Sequence, residues 1–308
     1  MTSPLHLLPE GVVVIERGWL SSNNVVLRGE REAALVDSGY CTHSEQTLAL
    51  LARALGDLPL TQLANTHLHS DHCGGNAALQ ARHPGLRTWI PPGLAAAVRA
   101  WDVVALSYQP TGQECPRFRH DALLQPGTEL QLGALQWQVH GAPGHDPNSV
   151  ILLEPGSRTL ISADALWKNG FGVVFPELEG LQAFDEVAAT LDVIERLAPR
   201  VVIPGHGPVF TDVSEALERA RSRLQSYLAN PRRHAAHAAK VLLKFKLLEL
   251  QCVRLQEFTA WAEKVPYFLL LRDRWFADRR MQEWLADLIA QLVRAGAARL
   301  DTEFIVNV

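Results

Sequence analysis

The chain has 308 residues, of which 47% are apolar and 20% charged, with a formal net charge of −4. That is the make-up of an ordinary globular protein, long enough for one large domain and a smaller one, and it excludes fibrous and disordered classes. No window approaches 18 uninterrupted apolar residues, the first twenty residues lack a basic, apolar leader, and the four cysteines form no C-x-x-C pair. We therefore expect no membrane span, no signal peptide and no disulfide framework, with a reducing cytoplasm as the compartment.

In chain order, "GVVVIERG", "NNVVLRG" and "EAALVDSG" are short β-branched runs bounded by turn residues, as in hairpin-linked strands. "SEQTLALLARALGDLP" has helical spacing, with Ser44 as an N-cap and Gly56 as its stop. "LTQLANTH" is a strand running into a cluster of histidines, and "NAALQARHPG" is the next helix. Residues 91–126 have a poor pattern and hold Trp101, Tyr108 and Phe118 among turn formers; a segment of this kind often covers a site. Further strands are "LRTWIPP", which precedes that segment, and "LQWQVHGAPGH", "SVILLEP", "RTLISAD" and "RVVIPGHG", which follow it, with a helix at "LQAFDEVAATLDVIERLAP". Beyond residue 212 the pattern turns helical up to Gly296 and ends in an extended tail. The expected division is residues 1–215 and 216–308. The first part carries 13 Lys/Arg against 23 Asp/Glu, the second 16 against 10.

The stretch "THLHSDHCGG" carries His67, His69, Asp71 and His72 within six positions. Buried together, such groups demand hydrogen-bond or charge partners. Three further strands end in the same chemistry: His145 after "QWQVHGAPG", Asp164 after "RTLISA" and His206 after "RVVIPG". Strand ends are where α/β folds assemble sites. Seven donors suit two divalent ions, which take about four to five ligands each when a carboxylate bridges them. Gly144 and Gly205, just before two of the histidines, let the backbone bend close to a crowded centre.

"THLHSDHCGG", "APGH", "ISAD" and "IPGHG", together with "EAALVDSG", resemble the metallo-β-lactamase fold superfamily over about residues 10–212. The resemblance implies an α/β fold, an αββα sandwich of two mixed sheets with metals at one edge. It implies that His67, His69 and His145 hold one ion, that Asp71, His72 and His206 hold the second, and that Asp164 bridges them. Two Zn2+ ions are the expected cofactors, with Fe or Mn as alternatives. Zinc-bound hydroxide would attack an ester, thioester or lactone, with Asp71 orienting the nucleophile or carrying its proton. Asp37 is expected to hydrogen-bond the metal loop.

The bridging Asp164 resembles the glyoxalase II, lactonase and RNase branches more than the β-lactamases. Residues 216–308 resemble, in helical pattern only, the winged-helix-like tail of a branch that cleaves single-stranded RNA. A small-molecule substrate is favoured, because an acidic catalytic part repels a polyanion. Nucleic acid is the alternative partner, and a non-hydrolytic iron redox or dioxygenase protein is the other alternative function. Tyr40, Trp101, Tyr108, Trp167 and Phe171 are the expected substrate-lining residues. The basic tail docks on the acidic part or on its twin in a homodimer. His234 and His237 are expected in solvent.

Overall fold

A computed structural model describes residues 4–308. Strands β1 (Val12–Ile15), β2 (Asn24–Arg28), β3 (Ala33–Val36), β4 (Leu60–Ala64), β5 (Arg87–Ile90) and β6 (Ala122–Leu123) form one sheet in that order. Its first three strands are antiparallel, and β3 to β6 run parallel. The second sheet is ordered β11-β10-β9-β8-β7, from β7 (Glu129–Leu132), β8 (Leu135–Gly141), β9 (Val150–Glu154), β10 (Thr159–Ala163) and β11 (Val201–Pro204). Two strands, β6 and β7, have no counterpart in the sequence patterns above. One is two residues long, and the other buries only Leu132, so neither leaves a clear alternation.

Period-two alternation explains why the sheets stack. Val25 and Leu27 of β2, and Ala34 and Val36 of β3, point into a core shared with Val150, Leu152, Ile161 and Ile203 of the other sheet. The intervening Val26, Ala33 and Leu35 point outward, where α1 (Ser44–Leu55) and α3 (Asn76–Arg82) cover them with Leu51, Leu55 and Leu79. Ile151, Leu153, Leu160 and Val202 do the same on the far side, beneath α7 (Ala183–Leu197) and α8 (Val213–Ala229). The result is the expected αββα sandwich. Gly56 ends α1 with φ 59°, whereas Ser44 is the first helical residue rather than its cap; its Oγ donates to the Cys41 carbonyl at 2.7 Å.

The short helices α2 (Ser70–Cys73), α4 (Ala95–Ala100), α5 (Tyr108–Thr111) and α6 (Phe175–Glu179) interrupt the connecting loops. Helix α8 runs through the division expected at residues 215–216 and packs Ala216, Leu217, Ala220 and Leu224 into the sandwich's outer core. The rest of the C-terminal part has a core built mainly from α9 (Pro231–Leu250), α10 (Leu255–Ala262), α11 (Pro266–Trp275) and α12 (Met281–Arg294), into which Val173 and Leu178 of the first part also pack. It also holds a three-stranded antiparallel sheet, β12 (Cys252–Arg254), β14 (Phe304–Asn307) and β13 (Ala298–Asp301) in that order. Helix α12 is followed by the β13–β14 hairpin, where a helix and an extended tail were expected. Among the described residues no helix is long and apolar enough to cross a membrane.

Candidate metal centre

The seven expected donors meet at one edge of the sandwich. They form two groups whose donor atoms lie within 4.8 Å of one another: His67, His69 and His145, and Asp71, His72, Asp164 and His206. Each comes from a strand end. The segment after β4 supplies His67 and His69 and enters α2, which carries Asp71 and His72. The loop after β8 supplies His145; β10 and β11 lead directly into Asp164 and into Gly205-His206. Gly144 has φ 134°, and a side chain there would strike Val187. A Cβ at Gly205 would fall 2.2 Å from Asp164 Oδ1 and 2.9 Å from His72 Cε1, so only glycine lets β11 come this close.

Asp37 organises both groups. It lies just beyond β3 with φ 58° and is buried. Its Oδ1 accepts the Thr66 amide at 2.9 Å; its Oδ2 accepts the Thr66 hydroxyl and the His72 Nδ1–H, each at 2.7 Å. Because that hydroxyl proton is committed to Asp37, Thr66 Oγ1 accepts from His67 Nδ1, 3.2 Å away. His145 Nδ1 donates to the Val173 carbonyl at 2.5 Å, and His206 Nδ1 to the Gly18 carbonyl at 3.3 Å. Four imidazoles therefore have their outer N–H occupied and turn Nε2 inward, the orientation a metal ligand needs.

The inward nitrogens do not satisfy one another. His69 Nδ1 lies 3.1 Å from His67 Nε2 and 2.8 Å from His145 Nε2, yet it carries at most one proton to share. At least one of these nitrogen lone pairs is thus left without a well-directed donor, an arrangement that a cation resolves. The His72 Nε2 atom is buried without a hydrogen-bond partner, 3.4 Å from Asp164 Oδ1. Asp164 Oδ2 is 3.4 Å from His145 Nε2 in the other group. That carboxylate thus stands between the two groups, while its Oδ1 accepts the Trp167 Nε1–H at 3.1 Å. A metal pair fits this donor set.

The electrostatics divide in the same way. Burial, reinforced by the neighbouring imidazoles, pushes His67 well below the usual imidazole range, and burial brings His69 and His145 down to about 4. All three are neutral near pH 7. Burial opposes charge in the second group as well, but Asp37, Asp164 and Asp71 outweigh it at His72, and Asp164 and Asp71 do so at His206; both histidines are raised.

A cavity of about 640 Å³ opens onto the centre. His69, Asp71, His145, Asp164 and His206 reach it, whereas His67 and His72 are fully buried behind them. Of the five expected substrate-lining residues only Trp167 is on its wall. Tyr40 is wholly buried, with its hydroxyl accepting the Glu114 amide at 3.1 Å and its ring edge-on to Phe245. Tyr108 donates to the Leu68 carbonyl at 3.0 Å beneath the metal loop, and Trp101 packs edge-on to Phe118 in the same cluster. Phe171 belongs to the outer core, beside Tyr227. Their loops do reach the site, but the side chains turn inward to bury apolar surface.

The sequence reading missed Trp19, whose exposed ring stacks on His206 at 5.4 Å and 11°, and Phe175, which lies edge-on to His69. An aromatic between two hairpin strands is a faint signal for the first; nothing in the pattern marks the second. His234 is buried, not exposed as expected, and its Nε2 accepts the Val174 amide at 3.2 Å; His237 is half-buried on the cavity wall.

Comparison with known proteins agrees with this picture. Over 141 residues the chain is 36% identical to a hydroxyacylglutathione hydrolase of Anaeromyxobacter dehalogenans (strain 2CP-C), covering 46% of this chain and 44% of that one. It is 24% identical over 234 residues to the acyl-coenzyme A thioesterase MBLAC2 of Gallus gallus, covering 66% and 80%. The matches span somewhat under half the length of the first curated relatives, 44% and 49%. A metallo-beta-lactamase family protein of Thermus thermophilus superposes with a TM-score of 0.58 at 21% identity, over 98% of this chain and 100% of that one, which speaks for the fold alone. The family profile described as the metallo-beta-lactamase superfamily matches residues 17–206, the span that holds all seven donors. The chain belongs to the metallo-β-lactamase superfamily.

Proposed function

We propose that this protein is a hydrolase that holds two divalent cations, zinc in the first place and iron or manganese as alternatives, and cleaves a thioester, ester or lactone of a small molecule. The observation that carries the reading is the pair of donor groups whose imidazole nitrogens face inward, with one carboxylate, Asp164, between them. His67, His69 and His145 would hold one cation and Asp71, His72 and His206 the other, with Asp164 shared. Such a pair, when bound, brings the pKa of water from 15.7 to about 7 and polarises a carbonyl oxygen.

The protein's own groups do the rest. Asp37 keeps His67 and His72 in the ligating tautomer. Asp71 is the donor carboxylate with the most access to the cavity, and its Oδ2 lies 3.0 Å from His206 Nε2, so an ionised carboxylate faces the reacting centre and can orient a nucleophile there. Trp19, Trp167 and Phe175 give the cavity an aromatic wall beside the donor groups. The two thioesterase-type relatives support a thioester as the first substrate to try.

The charges of the C-terminal part support a small molecule over RNA. Arg221 is held by Asp192 and Glu195, Arg232 by Asp278 and Lys246 by Glu249. Arg233 donates to Ser226, and Lys244 to the carbonyls of Ala297 and Val308 and to Asn307 Oδ1. No continuous stripe of free cations is left for a phosphate backbone among them. Elemental analysis of the freshly purified protein, followed by a panel of thioesters, lactones and single-stranded RNA, tests the reading. Two equivalents of metal with thioester turnover abolished by chelation is the expected result. A single iron without hydrolysis, or cleavage of RNA alone, would replace it.

A further inference from the structure

The wall of the cavity opposite the donor groups comes from helices that follow the family-matched span. On α9 the residues reaching it include His237, Lys240, Val241, Lys244, Phe245 and Leu248. Their spacing of three and four places them on one face, with a basic row beside an apolar row. From α8, Arg223 reaches the same cavity.

Two of these cations differ from the basic residues around them. Arg223 makes no hydrogen bond or ion pair among the described residues, and Lys240 Nζ has only the neutral Gln291 Oε1, at 3.1 Å. Most of the other arginines of this part have a carboxylate within 4.0 Å. Both are half-buried, where a lone positive charge is costly and acts strongly on an incoming anion. His237 between them is held neutral, down to about 4, by burial and then by Arg223 and Lys240. Lys244 is taken up by three oxygens. The one carboxylate on this side, Glu179, accepts the Tyr267 hydroxyl at 3.2 Å. Arg223 also lies against Gly170, where an added Cβ would meet the guanidinium at 2.6 Å. Gly170 pairs with Trp167, whose indole donates to Asp164, so the guanidinium sits one loop away from the donor groups.

We propose that Arg223 and Lys240 form an anion subsite that selects substrates carrying a carboxylate or phosphate beside an apolar chain, the chain lying on Val241, Phe245 and Leu248. The turnover part of its test rests on the thioester reading above; the binding part does not. The test uses the metal-loaded full chain, with coenzyme A as the phosphate-bearing carrier and glutathione as the carboxylate-bearing one, each measured by calorimetry at two salt concentrations. Kinetics then compare acetyl thioesters of both carriers with that of neutral N-acetylcysteamine.

Wild type binds at least one carrier, and less tightly at high salt. In the Arg223→Gln/Lys240→Met double variant that carrier binds about tenfold or more weakly, as expected for loss of charge-assisted hydrogen bonds, and the ratio of kcat/KM for its thioester to that for the neutral one falls by a similar factor. Arg223→Lys with Lys240→Arg restores both, which a folding defect would not allow. The carrier whose binding the double variant loses identifies the anion. Carrier binding with these losses but no thioester turnover keeps the subsite and rejects the thioester reading. Turnover with an unchanged ratio, or no binding of either carrier to wild type, overturns the subsite.

Discussion

The sandwich edge and the C-terminal helices handle charge in opposite ways. At the edge, seven ionisable side chains are brought together from separate strand ends; His72 Nε2 is left without a hydrogen-bond partner among the described residues, and the facing imidazole nitrogens of His67, His69 and His145 have too few protons to satisfy one another. In the helices, a surplus of Lys and Arg is spread over exposed surface and mostly matched by nearby Asp and Glu. Buried polar atoms without partners cost free energy and need a ligand. Exposed ion pairs contribute about 0–1 kcal/mol and need none. A cluster of histidines is therefore stronger grounds for a site than a surplus of arginines is for a binding face.

The contrast is broken most sharply at the edge. His67→Ala, His145→Ala and His206→Ala should each lose metal and nearly all turnover, by three decades or more; two retained ions with full activity in His206→Ala would end the dinuclear assignment. Asp164→Asn should come next. It keeps the fold, binds one ion well and the second poorly, and loses about two decades of activity, in line with removal of a shared ligand. Equal occupancy of both sites by metal titration would count against sharing. Asp37→Asn leaves all seven donors in place but removes the acceptor that orients His72 directly and His67 through Thr66. A drop of about 10- to 100-fold in metal affinity is expected, the usual size of a support residue's effect.

Two smaller effects sharpen the helical side. His234 is buried and neutral, with burial, and then His237, bringing its pKa down to about 3. The unfolded chain binds a proton near pH 6.5 and the folded one does not, so stability falls as pH drops from 6.5 towards 3. Between pH 7 and 5 the loss should be about 2 kcal/mol, at about 1.4 kcal/mol per pH unit below 6.5. In metal-stripped protein, the urea midpoint of His234→Gln should depend less on pH than wild type over this range; equal slopes would show that His234 titrates freely. Smallest of all, Arg232→Glu with Arg279→Glu should change stability by about 1 kcal/mol or less and leave small-substrate turnover unchanged. Steep, salt-dependent RNA binding that this variant loses would reinstate the nucleic-acid reading.

Much of the site was legible because its signals are local. Each donor or donor cluster follows a strand-like run, and the spacing within "THLHSDHCGG" places four of them on one turn. Asp37 was legible as support for the loop, although its link to His67 through Thr66 appears only in three dimensions. The aromatic lining was not legible. Tyr40, Trp101, Tyr108 and Phe171 lie on site loops but turn into cores, because a loop's sequence does not say which way a side chain points. His234 was misread for the same reason: the basic helix that carries it is covered on nearly every side.

By itself the sequence marked most strands and helices and a helical C-terminal part, since alternation and helical spacing act over a few residues; its strand-end motifs pointed to the seven candidate donors, and the resemblance those motifs carry implied the sandwich. Only the tertiary structure decided which atoms meet. It joined His145 to His69 across a sequence separation of 76 residues, placed Asp164 between the two groups, and aimed Arg223 and Lys240 into a cavity shared by both parts of the chain. Such contacts depend on how whole sheets and helices pack, through the sum of many buried surfaces, and no short stretch of sequence carries that sum.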